Sequence, residues 1–292
     1  MSKMSITSHW HLIKDKKKAV GFMKKLAPRF IRVSSLQKEI CTKTNASDLH
    51  QLVKAGLRIL PVCGSDRYGL MSAEQWTNYC RKFANYLKVM GTVNGENPVV
   101  QILNEPNTSL FTYGNPSTGF PSARLAWDRF RIAYNTIKNE FPGAIIIAPG
   151  LTNENKNGSN KIAARDFLED WCDFGADQYL DYWALHYYDT DTKYVGTLRG
   201  NISFLKTNSR RPIAITETGS ASDHAGWYSR IKNGIEGISP DFVAWYVFNG
   251  HAGFELYSNS LQSKYSLHLD AGEVKERDEE TTLWDTLIAW LT

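Results

Sequence analysis

Short runs rich in Val, Ile and Leu alternate along the chain with longer segments whose apolar residues recur at helical spacing. The first run is Ile6 to Leu12, and a helix follows over about Asp15 to Leu26. Arg29 to Ser34 predicts a second strand, after which Asn45-Ala46-Ser47-Asp48 opens a helix that Gly56 closes. Leu57 to Val62 is a third strand, and its helix, Ser72 to Met90, starts on the capping box Ser72-Ala73-Glu74-Gln75. The same alternation predicts strands at Val99 to Leu103, Ala144 to Ala148, Tyr182 to His186, Pro212 to Thr216 and Phe242 to Phe248. Helices are expected between them at Ser122 to Phe141, Ala164 to Phe174, Leu198 to Thr207 and His224 to Ile235, with Thr281 to Leu291 closing the chain.

Strands that alternate with helices predict a parallel sheet covered by helices. Eight such units predict an α/β fold of the (β/α)8 TIM barrel type, a single catalytic domain over 1–292. A doubly wound open sheet would carry a glycine-rich phosphate loop after its first strand, but Lys14-Asp15-Lys16 stands there instead. In either architecture the carboxyl ends of the strands carry the chemistry.

Composition narrows the class without deciding the function. With 42% apolar and 22% charged residues, the 292-residue chain has the balance of a folded globular domain, which excludes a disordered tail or a fibre. Aromatic residues reach 12%, more than packing requires, and suit stacking against the faces of a ligand. The net charge of +4 is local, concentrated in Lys14, Lys16, Lys17, Lys18, Lys24 and Lys25. A lysine cluster on a helix is ordinarily a solvated face, so no nucleic-acid partner is expected, although a weak preference for acidic polymers is compatible. The four cysteines form no CxxC pair, so neither a zinc ribbon nor a redox dithiol is expected. Residues Met1 to His11 contain no apolar signal region and no run is long enough to span a bilayer. A cytoplasmic product, or one released by lysis or another route, and a monomer without membrane contact are the expectations.

Two strand ends stand out. The fourth ends Gln101-Ile102-Leu103-Asn104-Glu105-Pro106-Asn107 and the seventh ends Ile213-Ala214-Ile215-Thr216-Glu217-Thr218-Gly219. Period-two alternation would put Gln101, Leu103 and Glu105 on one side of their strand, and Ile213, Ile215 and Glu217 on one side of theirs. If that side faces the barrel axis, the carboxylates converge across the mouth. Paired carboxylates are what glycosidic cleavage needs, one kept protonated to release the leaving oxygen and one ionised to attack.

These two strand ends, Asn104-Glu105-Pro106-Asn107 and Thr216-Glu217-Thr218-Gly219, resemble those of glycoside hydrolase clan A. The Asn-Glu-Pro-Asn run is similar to family 39, and the overall length to family 5. The resemblance implies a (β/α)8 barrel that hydrolyses an oligo- or polysaccharide with retention, needs no cofactor, and uses Glu105 as acid/base and Glu217 as nucleophile. It further implies that Asn104 contacts the sugar 2-hydroxyl, that Arg32 at the end of Arg29-Phe30-Ile31-Arg32-Val33 holds Glu217 ionised, and that His186 and Tyr188 of His186-Tyr187-Tyr188 line the sugar site. An aromatic platform on strand eight matches Trp245 by residue type, with Tyr246 and Phe248 as alternatives.

Other features weigh less. His9 and His11 have metal-like spacing, but no third ligand cluster accompanies them, so no metal is expected. Tyr187 is expected to point toward the helices. Two long loops, about 106–121 and 250–280, are expected to wall the cleft, carrying Phe111, Tyr113 and Phe120 in one and Phe254, Tyr257 and Tyr265 in the other. Leu267 to Glu273 could fold as a small hairpin. Rim aromatics favour endo-action on a β-linked glycan, with an exo-acting pocket or a catalytically silent carbohydrate-binding barrel as alternatives. A lyase or isomerase barrel would show a strand-end lysine or a carboxylate cluster, and neither stands at the expected strand ends.

Overall fold

A computed structural model describes residues 4–8, 10, 13, 15–34, 43–64, 71–109, 121–154, 157–158, 161–188, 193–219, 240–245, 268–270 and 273–275. Eight parallel strands make one sheet: β1 (Met4–Ser8), β2 (Ile31–Ser34), β3 (Ile59–Cys63), β4 (Val99–Ile102), β5 (Ile145–Ile147), β6 (Trp183–Tyr188), β7 (Ile213–Gly219) and β8 (Phe242–Trp245). Each strand pairs with its sequence neighbour, and β1 pairs with β8. The remaining edges, β5 and β6, meet through parallel bridges Ile147–Tyr182 and Leu151–Leu185, with the Ala148 amide donating to the Tyr182 carbonyl at 2.8 Å. The sheet is therefore nearly closed into a barrel, its two ends bridged rather than left open. The fold is a (β/α)8-type barrel.

The described helices are α1 (Lys16–Leu26), α2 (Lys43–Lys54), α3 (Ala73–Met90), α4 (Ala123–Glu140), α5 (Ala164–Asp173) and α6 (Lys193–Asn208). Local chemistry explains their ends. Asp15 accepts from the Lys18 amide at 3.0 Å, Ser122 accepts from the Leu125 amide at 3.2 Å, and Ser72 with Gln75 forms the reciprocal capping box. Several boundaries differ from the sequence pattern. β1 starts and stops earlier than Ile6 to Leu12, because Trp10 already lies in a 3-10 turn. α2 begins two residues before Asn45, and α6 starts at Lys193, five residues before Leu198. The helices expected at 224–235 and 281–291, together with His9, His11, Tyr246, Phe248 and the named aromatics of the two long loops, lie outside the described residues. Within the second loop, β9 (His268–Asp270) and β10 (Glu273–Lys275) pair antiparallel, the hairpin expected near Leu267 to Glu273.

Two apolar layers hold the barrel. The larger lies between strands and helices, where Trp76, Phe83, Trp127, Phe130, Phe167 and Trp171 are almost wholly buried. Burial of side chains this large contributes on the order of 2–3 kcal/mol each. The smaller layer contains only strand-associated residues, Phe30, Leu60, Ile147, Ala184, Ala214 and Phe242, and plugs the amino-terminal end of the barrel. Arg29 closes that end, ion-paired to Asp241 at 2.7 Å and lying over the Phe30 and Phe242 rings. Above the plug the interior turns polar with Ser5, Thr7, Arg32, Gln101 and His186, all buried. Buried polar groups are expensive unless paired, so this layer marks the end of the barrel built for chemistry rather than stability.

Candidate active site

Neither glutamate reaches the barrel axis by the simple alternation that the sequence suggested. Ile213 and Ile215 pack outward with the helices, while Ala214 belongs to the inner plug. Regular alternation from there would send residue 217 outward. β7 instead carries one extra residue: Leu185 lies opposite Ile215 but His186 lies opposite Glu217, and on the other side Val243 and Trp245 face Ile215 and Thr218. This bulge at Thr216 reverses the phase and turns Glu217 toward His186.

β4 achieves the same result differently. The strand ends at Ile102, and Leu103 and Glu105 both adopt positive φ, 66° and 45°. Leu103 thereby joins the outer layer beside Trp76, and the chain swings Asn104 and Glu105 into the mouth. Non-glycine residues held at positive φ cost about 1–3 kcal/mol and persist only where surrounding bonds impose them. Those bonds are present. The Leu103 amide donates to the Cys63 carbonyl at 2.7 Å, the Glu105 amide donates to the Gly150 carbonyl at 2.8 Å, and the Gln101 side-chain amide donates to the Leu103 carbonyl at 3.1 Å. Asn107, fully buried, ties the turn down by donating to the Thr152 and Ile162 carbonyls at 3.0 and 3.2 Å and accepting from the Thr152 amide at 3.1 Å. The second asparagine of the Asn-Glu-Pro-Asn run is a staple.

Around the two glutamates the network is dense. Arg32, with no exposed surface, spends three donors: Nε to Gln101 Oε1 at 2.8 Å, Nη1 to Glu217 Oε1 at 2.5 Å and Nη2 to Asn104 Oδ1 at 2.7 Å. The last bond fixes the Asn104 amide, leaving its nitrogen as the donor. The Tyr188 hydroxyl donates to the other Glu217 oxygen. His186 Nδ1 lies 2.7 Å from Glu105 Oε1 and 3.6 Å from Glu217 Oε2. Arg32, Asn104, Glu105, His186, Tyr188 and Glu217 thus form one cluster, whereas Tyr187 is buried in the outer layer. Trp245 pairs through its backbone with β1 and β7. Gln101, Thr216 and Gly150 also belong to the site. Gln101 alone had a sequence signal, a polar residue in the middle of an apolar strand.

The two carboxylates are pushed apart in acidity. Burial raises the Glu105 pKa above 4.5, and the negative charge of Glu217 adds to this, while His186 and Arg32 oppose it. For Glu217 burial is again the largest single influence and acts upward. The charges of Arg32 and His186 and the donors Tyr188 and Arg32 together outweigh it, so its pKa falls below 4.5. A protonated Glu105 beside an ionised Glu217 is the arrangement that follows. One oxygen of each carboxylate and one His186 nitrogen lie within 4.8 Å of one another, a spacing at which a cation could be held. Arg32 already neutralises Glu217 and His186 already bonds Glu105, so this donor set is committed within the protein.

No protein-family model and no curated protein matches the chain. Solved structures do. An endo-β-1,4-mannanase double mutant from Cellulomonas fimi superimposes with a TM-score of 0.66 at 13% identity, covering 99% of this chain and 70% of that one. The hyperthermostable endo-1,4-β-D-mannanase of Thermotoga petrophila RKU-1 gives 0.63 at 9% identity, covering 98% and 99%. Thermotoga maritima Cel5A, solved in complex with mannotriose, gives 0.61 at 14% identity, covering 98% and 97%. At these identities the likeness establishes the fold, a single (β/α)8 barrel of the kind that these glycosidases share.

Proposed function

We propose that the protein is a retaining glycoside hydrolase acting on a β-linked oligo- or polysaccharide. The observation that carries this reading is the pair of buried carboxylates, with one oxygen of each within 4.8 Å of the other and acidities displaced in opposite directions. Carboxyl groups about 5–5.5 Å apart suit double displacement, whereas inversion needs about 6.5–9.5 Å to admit a water between them. In the first step Glu217 attacks the anomeric carbon as its bond to the glycosidic oxygen breaks, and Glu105 delivers its proton to that oxygen. In the second, the Glu105 carboxylate takes a proton from a water that attacks the same carbon, and Glu217 leaves. Asn104, its amide nitrogen presented by Arg32, donates to a sugar hydroxyl as positive charge builds on the ring.

The endo-mannanase neighbours and the mannotriose complex of Cel5A make β-1,4-mannan and β-1,4-manno-oligosaccharides the first substrates to try, and endo-action the first mode. A panel of these polymers assayed for new reducing ends, with Glu217→Ala and Glu105→Ala beside the parent, tests the assignment. Glu217→Ala is expected to fall to background. Glu105→Ala is expected to lose about 10²–10⁴-fold on polymers and far less on aryl glycosides whose leaving groups need no proton. Near-parental rates from either variant would refute the roles.

A further inference from the structure

Behind the acid/base stands a pair of buried polar atoms that the mechanism above does not use. His186 Nε2 and Thr216 Oγ1 are both buried, and neither has a hydrogen-bond partner. His186 and Thr216 themselves have no exposed surface. Buried polar atoms without partners are rare enough that each needs an explanation. Both atoms crowd Gly150. A methyl carbon placed on that glycine would lie 2.0 Å from Nε2 and 2.7 Å from Oγ1, so the two atoms are separated by no more than the 4.7 Å that these distances sum to. The glycine's missing side chain is what lets the imidazole edge and the hydroxyl approach one another. The ring is anchored on its other side by Nδ1 at 2.7 Å from Glu105, and its backbone amide donates to the Leu151 carbonyl at 2.7 Å.

We propose that Thr216 is a positioning residue that sets the tautomer of His186 and through it the protonation of Glu105. The hydroxyl oxygen accepts from Nε2–H, which leaves Nδ1 unprotonated and able to accept from the carboxylic acid of Glu105. In this neutral tautomer the ring exerts neither the charge nor the donated hydrogen bond by which a protonated His186 lowers the Glu105 pKa, so it favours the protonated acid. The opposite tautomer, with hydrogen on Nδ1, would donate to the Glu105 carboxylate and favour its ionisation. Hydrogen bonds of this kind are often long in the unliganded site and tighten when substrate binds. The other charged and titratable groups facing the ring, among the described residues, are Glu217 on β7, Arg32 on β2 behind it, and Tyr188 two residues along β6. Glu217 lies on the Nδ1 side of the ring, and Arg32 and Tyr188 both engage Glu217, so Thr216 is the group placed to govern Nε2. The bulge that turns Glu217 inward thus also delivers the hydroxyl to the far side of the histidine.

The effect on catalysis rests on the glycosidase reading; the tautomer does not. Two measurements keep them apart. Nitrogen-15 NMR of the imidazoles, with His186 assigned by its loss in His186→Asn, is expected to show Nε2 protonated and Nδ1 unprotonated in the parent and in Thr216→Ser. In Thr216→Val the balance should move toward the Nδ1–H form. The alkaline limb of kcat/KM is expected to shift to lower pH by about one unit, a tenfold change in the protonation equilibrium, in Thr216→Val and to return in Thr216→Ser. Should the valine variant not fold, Thr216→Ala serves in its place. An unchanged tautomer and an unchanged limb in a folded variant lacking the hydroxyl would overturn the proposal. A changed tautomer in a protein that cleaves no glycan would uphold the relay and refute the hydrolase.

Discussion

Glu105 and Glu217 are the same residue type at similar depth, yet their surroundings give them opposite preferences, and protein stability should report this without any substrate. Glu105 has a folded pKa raised above 4.5. Below 4.5 it is protonated in both states and costs nothing; as pH rises past that point the unfolded chain ionises first, and stability declines until the folded pKa is passed. Glu105→Gln removes that penalty. The variant should melt above the parent at pH 8, by about 2 °C or more, and show no such gain at pH 4. Glu217 behaves in reverse. Its folded pKa is depressed, so its contribution is present above 4.5 and is lost as pH falls through the folded value. Glu217→Gln should therefore melt below the parent at pH 8, because it leaves the Arg32 guanidinium buried beside a neutral amide. Thermal melts of both variants at the two pH values check this; shifts of the same sign at pH 8 would mean that the two carboxyls are not differentiated. Arg32→Lys should weaken Glu217 nearly as much as losing the charge, since one ammonium cannot serve Gln101, Glu217 and Asn104 together.

Secondary-structure elements deliver those residues through two irregularities, and here the sequence was least informative. The order of the strands and of the described helices and the Ser72 capping box were visible in apolar periodicity, and Glu105 and Glu217 in their two strand ends, while Arg32, Asn104, His186 and Tyr188 were named by the resemblance to glycoside hydrolase clan A. The directions of the side chains were not visible. Alternation assumes an unbroken strand, but a one-residue bulge in β7 and two positive-φ residues after β4 each shift the phase. No residue-type signal marks either feature, because Leu103, Glu105 and Thr216 are not residues that usually take such backbone roles. Gly150 was equally silent, since its reason is a neighbour distant in sequence, His186. Gly150→Ala should accordingly cost about 1–3 kcal/mol by overpacking and displace the imidazole from Glu105, lowering turnover as well as Tm. Ser72→Ala, far from the mouth at the start of α3, should cost about 1 kcal/mol in stability with turnover unchanged. Equal effects of the two substitutions on turnover would argue that the β5 connection does not support the site.

The molecule as a whole divides its interior between two tasks. The amino-terminal end is filled with apolar side chains and sealed by Arg29 and Asp241, while the carboxyl-terminal end concentrates buried polar groups around two carboxylates. That polarity follows from the barrel: every parallel strand ends on the same side, so β2, β4, β6 and β7 bring their residues to one mouth. Because Arg32 and His186 already engage the carboxylates, turnover should survive dialysis against a chelator, measured by reducing-end release before and after; loss that a divalent cation restores would reassign the Glu105, His186 and Glu217 trio as a metal site. The most direct test of the central claim follows the configuration of the first sugar released, by proton NMR within the first minutes of hydrolysis of a β-linked substrate. The carboxylate spacing predicts the β-anomer, appearing first and only then mutarotating. Initial release of the α-anomer would contradict it.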